Sequence, residues 1–250
     1  MTRKTNPLVP AIAIATTAFL ALTGAASGEP LELDEHELFF ELNDTDGDLG
    51  IHASIDGGPY TELEIEDPRG RTILRMKANG RLARQGMTQF MLESAEPTFD
   101  ELPPVKFFRR FPEGEYEIEV ERGRKEFEVT VELSHVMAAP AGDITVSGLE
   151  AAEDCDADEL PAPDQPVVVE WAPVTESHPE IGREGPVEID RYQFFVEQDD
   201  IKVGVDLPSD VTGFEIPASI TEGGGVFKYE IIARTEDGNN TAVETCFVID

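Results

Sequence analysis

From Glu115 to Leu133 the chain alternates apolar and charged residues with a period of two, and few folds tolerate that pattern. Tyr116, Ile118 and Val120 alternate with Glu115, Glu117, Glu119 and Glu121. Phe127, Val129, Val131 and Leu133 alternate with Glu128, Thr130 and Glu132. Residues two apart in a strand share a face. The pattern therefore predicts a hairpin turning at Gly123, with one face buried and a ladder of carboxylates in water. Further strands are predicted over Glu37–Asn43, Ile51–Ile55, Leu63–Ile65, Thr72–Met76 and Met87–Leu92. The turn formers Asp44-Thr45-Asp46-Gly47-Asp48, Asp56-Gly57-Gly58-Pro59 and Asp67-Pro68-Arg69-Gly70 separate them.

The stretch Thr98–Phe111 breaks this period. Thr98 and Glu101 have the spacing of a capping box, and Pro103 and Pro104 are tolerated only in a first helical turn. Phe107, Phe108 and Phe111 share one helical face, and Pro112 stops the run. One short helix, packed on a sheet by its Phe face, is predicted. Ala138-Ala139-Pro140-Ala141-Gly142 has no period and reads as a linker. The expected organisation is an acidic β-rich domain over residues 29–138, a linker over 139–143 and a second strand-rich domain over 144–250. No internal repeat is visible.

The chain has 250 residues, 40% of them hydrophobic, which is enough for real cores and argues against global disorder. Its 52 acidic and 19 basic residues give a formal net charge of -33. Such a surface repels phosphate backbones and anionic lipid headgroups, so nucleic-acid binding is disfavoured. Cations, cationic partners and solubility in salt remain as readings. The N-terminus carries Arg3 and Lys4, an apolar run from Leu8 to Leu22, and small residues from Gly24 to Gly28. That is the three-part pattern of a secretory signal peptide over residues 1–28, with cleavage after Ala26 or Gly28. The alternative is a membrane anchor, for which a run of about 15 residues is short against the ~20 needed. The mature chain is expected to carry no membrane span and to be secreted or periplasmic. Two cysteines, Cys155 and Cys246, in an exported chain suggest a disulfide; the alternative is two separate thiols.

In the second half, Trp171 closes a Val167–Val174 strand and Tyr192–Val196 forms another. Tyr229-Glu230-Ile231-Ile232-Ala233 precedes the turn Asp237-Gly238-Asn239-Asn240. In this order and spacing the segment from Ile144 to Asp250 resembles a fibronectin type III domain. The resemblance implies an all-β, immunoglobulin-like sandwich in which Trp171 fills the core and Tyr229 makes the tyrosine-corner contact. The first half resembles the small sandwich modules that accompany such domains in exported bacterial proteins, with no family assigned. The acidic stretch Ala151–Pro163 is longer than the resembled fold has between its first strands. It carries Cys155, and the resemblance implies a Cys155–Cys246 bond tying it to the last strand. It also places the loop Thr175–Pro186 and the turn Glu236–Asn240 at one pole, either as a ligand surface or as the contact with the first domain.

Asp44, Asp46 and Asp48 are the candidate metal residues, since alternating carboxylates around a glycine suit calcium. The pattern departs from an EF-hand at Leu49 and Ile55, and a polar hairpin turn explains it equally. His36, His52, His135 and His178 have no close metal spacing. No nucleophile elbow, phosphate loop or dinucleotide fingerprint occurs. Asn43-Asp44-Thr45 and Asn239-Asn240-Thr241 have the form of glycosylation sequons. These readings point to an exported, non-catalytic binding or scaffold protein whose partner is a protein or an extracellular or envelope component. The alternatives are a calcium-dependent extracellular protein using the Asp44–Asp48 turn, and a hydrolase whose carboxylates meet in three dimensions. Catalytic residues are not assigned, and calcium is the one cofactor considered.

Overall fold

The structure, a computed structural model, describes residues 31–249; the signal-like segment with Ala26 and Gly28 lies outside the described residues. The first half contains β1 (Leu33–Asn43), β2 (Asp48–Tyr60), β3 (Glu62–Glu66), β4 (Thr72–Lys77), α1 (Gly80–Gln85), β5 (Met87–Glu93), α2 (Pro104–Phe108), β6 (Gly114–Arg122) and β7 (Lys125–Leu133). Strands β1, β2 and β5 face the sheet β4-β3-β6-β7. The apolar residues expected on one face of the β6 strand, Tyr116, Ile118 and Val120, are fully buried. They meet Leu38, Phe40, Leu42, Ile51 and Ile55 from the opposite sheet. Gly123 turns the hairpin with φ 69°, a left-handed conformation that favours glycine.

Two expectations are corrected. Asp56–Pro59 does not turn the chain, because β2 runs through it to Tyr60. A Cβ at Gly57 would collide with the Glu32 carbonyl, so glycine here permits close strand approach rather than a turn. Thr61 alone then carries the chain from one sheet to the other. The helix is also shorter than the Thr98–Phe111 run. The carbonyl of Thr98 accepts the N–H groups of Glu101 and Leu102, both at 2.9 Å, in a turn that ends before Pro103. Only Pro104–Phe108 is helical, without a side-chain cap, and it presses Phe107 and Phe108 edge-on against Phe40.

The second half contains β8 (Val136–Ala138), β9 (Thr145–Val146), β10 (Leu149–Glu150), β11 (Val167–Glu170), β12 (Ser177–Gly182), β13 (Ile189–Gln198), β14 (Ile201–Pro208), β15 (Gly213–Ile216), α3 (Ala218–Thr221), β16 (Gly225–Thr235) and β17 (Asn240–Ile249). The sheet β10-β9-β11-β15 packs on β14-β13-β16-β17. Trp171 is buried between them, with Tyr192 edge-on at 5.4 Å. This is the sandwich that the resemblance implies. The first half has the same strand order: β1, β2 and β5 correspond to β9, β11 and β15, and β4-β3-β6-β7 to β14-β13-β16-β17. A topological repeat is therefore present that the sequence does not display. The corner contact is likewise in the other half. Tyr116, near the start of β6, donates to the Pro112 carbonyl at 3.0 Å, whereas Tyr229 is buried and its hydroxyl has no hydrogen-bond partner among the described residues.

The two sandwiches share a sheet. Strand β17 runs parallel to β1, with Asn240, Thr241 and Ala242 beside Glu41, Leu42 and Asn43. The result is one seven-stranded sheet, β14-β13-β16-β17-β1-β2-β5. Asn239 locks this seam from inside: its Oδ1 accepts the Phe40 N–H at 2.9 Å, and its Nδ2 donates to the Ser134 and Val136 carbonyls at 2.8 and 3.0 Å. It is 1% exposed, so it is no accessible glycosylation site. Thr241 donates to the Ala138 carbonyl, Asn240 to Glu41, and Arg234 pairs with Glu37 while lying over the Phe39 ring. The loop Thr175–Pro186 joins in, since β12 pairs with β8 and Arg183 forks onto Glu113. Within the expected linker, Ala139 donates to the Glu176 carbonyl, Gly142 accepts from Ala172, and Ala141 is buried.

The acidic stretch Ala151–Pro163 has a structural role. Past Ala242, β17 leaves β1 and would expose a bare edge, a template for unwanted strand pairing. Val248 donates to the Pro161 carbonyl, Thr245 to the Ala152 carbonyl, and Cys155 is bonded to Cys246. The stretch thus covers the edge. Two measurements check these assignments. Asn239→Ala leaves one buried donor and two carbonyls unpaired, and denaturant melts should show a loss of about 2–4 kcal/mol. Cys155→Ala should lower stability by up to roughly 4 kcal/mol, since the bond closes a long loop. Alkylation before reduction should add no mass to the wild type.

Candidate functional site

The outer face of the seven-stranded sheet carries charged residues across the seam. On the side of the second sandwich, Lys202 and Lys228 flank Glu197 at 3.4 and 3.7 Å, and Lys228 also holds Glu244 at 2.6 Å. Glu230 sits directly across from Glu244 in the β16–β17 register. Over the seam stand Glu41 on β1 and His52 on β2. Glu96 reaches in from the segment after β5, its side chain lying where a Cβ on Gly50 would be. His52 Nε2 and Glu96 Oε1 are 2.8 Å apart, and the imidazole packs against Phe39 at 5.4 Å. Glu41 is held by Asn240 Nδ2 at 2.8 Å.

Among the described residues, Glu41, His52 and Glu96 are the group whose ligand atoms all lie within 4.8 Å of one another. Two carboxylates and one imidazole are donors that divalent cations accept. The expected set behaves differently. Asp44 is engaged by His178, with Nε2 and Oδ1 2.8 Å apart, and this imidazole takes the N–H groups of Glu180 and Ile181 on its Nδ1. Nε2 therefore carries the proton and donates to Asp44. Asp46 accepts from Asn43, whose Oδ1 closes the turn by accepting the N–H groups of Thr45 and Asp46. Asp44, Asp46 and Asp48 are not a group whose ligand atoms all lie within 4.8 Å of one another. Asp48 feels the charge of the seam cluster as well as of its own turn: burial first, then Glu96, Asp46, Glu244 and Glu41, push its pKa up to about 6. Burial, then Glu41 and Glu244, push Glu230 to about 7.

Two clefts among the described residues lie elsewhere: one is lined by His36, Glu37, Arg191 and Arg234, another by Arg69, Phe108, Arg109 and Arg183. Of the remaining histidines, His135 Nε2 meets the Phe111 carbonyl at 2.8 Å and His36 Nδ1 is buried without a partner among the described residues. Sequence spacing missed the seam cluster because His52 and Glu96 are 44 residues apart, and because Asn240, which holds Glu41, comes from the other sandwich. The signal available was the position of Glu41 and His52 on the outer faces of two strands predicted to be neighbours.

No protein-family model matches the sequence, and no curated protein matches it. Several solved structures overlap it weakly. A two-domain fibronectin type III segment of chicken tenascin is 13% identical, with a TM-score of 0.28, covering 88% of this chain and 98% of that one. The FN1–FN3 domains of chicken CNTN1 are 9% identical, with a TM-score of 0.33, covering 84% and 63%. A tetra-tandem repeat from the extending region of a large adhesion protein is 11% identical, with a TM-score of 0.26; this chain covers 50% of its length. Overlaps at this level carry no argument about function, and the sandwich assignment here rests on strand order and core.

Asp48 and Glu230 hold pKa values above those of the unfolded chain. Between their unfolded and folded pKa values the native state binds protons that the unfolded state does not. Stability should therefore rise as pH falls from about 8 to about 5, and fall again below that as paired carboxylates such as Asp67 and Glu64 are protonated. Thermal melts across this range check the sign. Glu230→Gln should flatten the upper limb and raise the melting temperature at pH 8.

Proposed function

We propose that this protein is an exported, non-catalytic binding or scaffold protein that works as a tandem of two joined β-sandwiches. The observation that supports this reading most is the seam. The loop Thr175–Pro186 and the turn Glu236–Asn240 lie at the pole where a free sandwich would present ligand loops. Here their backbone and side chains hold the first sandwich in place. Conformational freedom between the modules is given up for a fixed relative geometry, which suits a spacer or docking platform outside the cytosol. The disulfide agrees with an oxidising compartment. The outer face of the sheet β4-β3-β6-β7 is a ladder of carboxylates, favouring cationic or neutral partners over nucleic acid.

Export is tested by N-terminal sequencing of the protein recovered from the medium or periplasm of its own cells. The expected first residue is Ser27 or Glu29. Recovery only in the cytosol, with residues 1–28 retained, contradicts the proposal. Cross-links to a partner should map to the open faces of the sheets, not to Thr175–Pro186.

A further inference from the structure

We propose that the cleft between α2 and the Arg183 loop binds a small organic oxyanion, meaning a carboxylate, phosphate or sulfate head carried on a short apolar group. This goes beyond the scaffold reading and does not depend on export. The cleft measures about 450 Å³ and lies where the two sandwiches meet. Three arginines line it, Arg69, Arg109 and Arg183, against two acidic residues, Glu113 and Glu180. In a chain of formal net charge -33, that is a local reversal of sign. One pair is already closed, since Arg183 Nε and Nη2 hold Glu113 at 3.1 and 2.9 Å. Arg69 and Arg109 have no ion-pair partner among the described residues.

The backbone around these two arginines is well fixed. Arg69 projects from the β3–β4 turn, where the buried Asp67 accepts the Arg69 and Arg71 N–H groups at 2.9 and 3.0 Å and the Arg71 side chain as well. Arg109 directly follows α2, whose Phe107 and Phe108 are anchored in the core. A guanidinium fork matches the two oxygens of a carboxylate, phosphate or sulfate. Pro104, Val105 and Phe108 supply an apolar wall. Val105 is 59% exposed, an uncovered aliphatic side chain beside uncovered cations. A ligand with a charged head and an apolar body would satisfy both, and the cleft falls within the ~300–1,000 Å³ range of small-molecule sites.

The test is calorimetric titration of the full chain with benzoate, phenyl phosphate and phenyl sulfate, compared with inorganic phosphate and benzyl alcohol. At physiological ionic strength the Debye length is about 8 Å, so remote acidic faces are screened. The phenyl-bearing anions should bind saturably, and their ranking identifies the preferred head. Inorganic phosphate and benzyl alcohol should each bind at least about tenfold more weakly, because each lacks half of the recognition. Arg69→Gln, Arg109→Gln and Val105→Asp should each weaken binding about tenfold with unchanged melting temperature, since Val105 is exposed and neither arginine has an ion-pair partner among the described residues. Arg124→Gln, in the β6–β7 turn, should leave binding unchanged. The proposal is overturned if no phenyl-bearing anion saturates, or if Arg124→Gln weakens binding as much as Arg109→Gln.

Discussion

The structure depends on one buried amide. Asn239 turns three main-chain groups of the first sandwich and its exit strand into hydrogen bonds with a single side chain. Without it, Phe40 N–H and the carbonyls of Ser134 and Val136 would be buried at a junction that water cannot easily reach, and each unpaired group there is costly. The short parallel ladder between β1 and β17 is too brief to join two sandwiches alone. It becomes a continuous sheet because Asn239, Asn240 and Thr241 satisfy what the ladder leaves open. The same three residues form a sequon in the sequence. Their polarity serves the interior, which no local motif reveals.

Charge is sorted by face. On the sheet β4-β3-β6-β7 the outer face sets Glu119 opposite Glu64 and Glu128, and Glu121 opposite Glu62 and Glu126. Like charges directly across a ladder repel. Burial, followed by these neighbours, raises the pKa values of Glu117 and Glu119. Arg75 on Glu64 and Lys77 on Glu62 relieve the strain on the β4 side. Carboxylates at this density stay soluble and resist stacking of sheets, while screening by salt moderates their mutual repulsion. Against this field, Arg69 and Arg109, which have no ion-pair partner among the described residues, line one cleft together with Arg183.

Much of the sandwich was legible in the sequence. Period-two alternation located β6, β7, β13 and β16, and Trp171 located the second core. What was not legible has physical causes. Gly57 and Gly58 read as a turn because glycine is locally permissive, yet close approach of β1 fixed them in an extended strand. Tyr229 matched a corner tyrosine by position, but the corner hydrogen bond depends on a backbone carbonyl that only Tyr116 finds. The Asp44–Asp48 turn looked like a cation loop because its carboxylates alternate. Its side chains are instead divided among Asn43, His178 and the seam, partners that local spacing does not show.

The repeated topology without a repeated sequence follows from what a sandwich requires. Alternation and turns suffice to form the sheets, so residues can diverge while strand order persists. The halves differ where each must deal with its free edges. In the first, β1 gives up its free edge to β17. In the second, β17 is covered first by β1 and then by the disulfide-bonded Ala151–Pro163 stretch. Two of the outermost strands, β7 and β14, carry Glu126, Glu128, Lys202 and Asp206, charges that disfavour pairing with a further strand. Sheet extension is therefore permitted at the seam and opposed at these edges, so the joining of the two sandwiches is a built feature of the chain rather than an accident of packing.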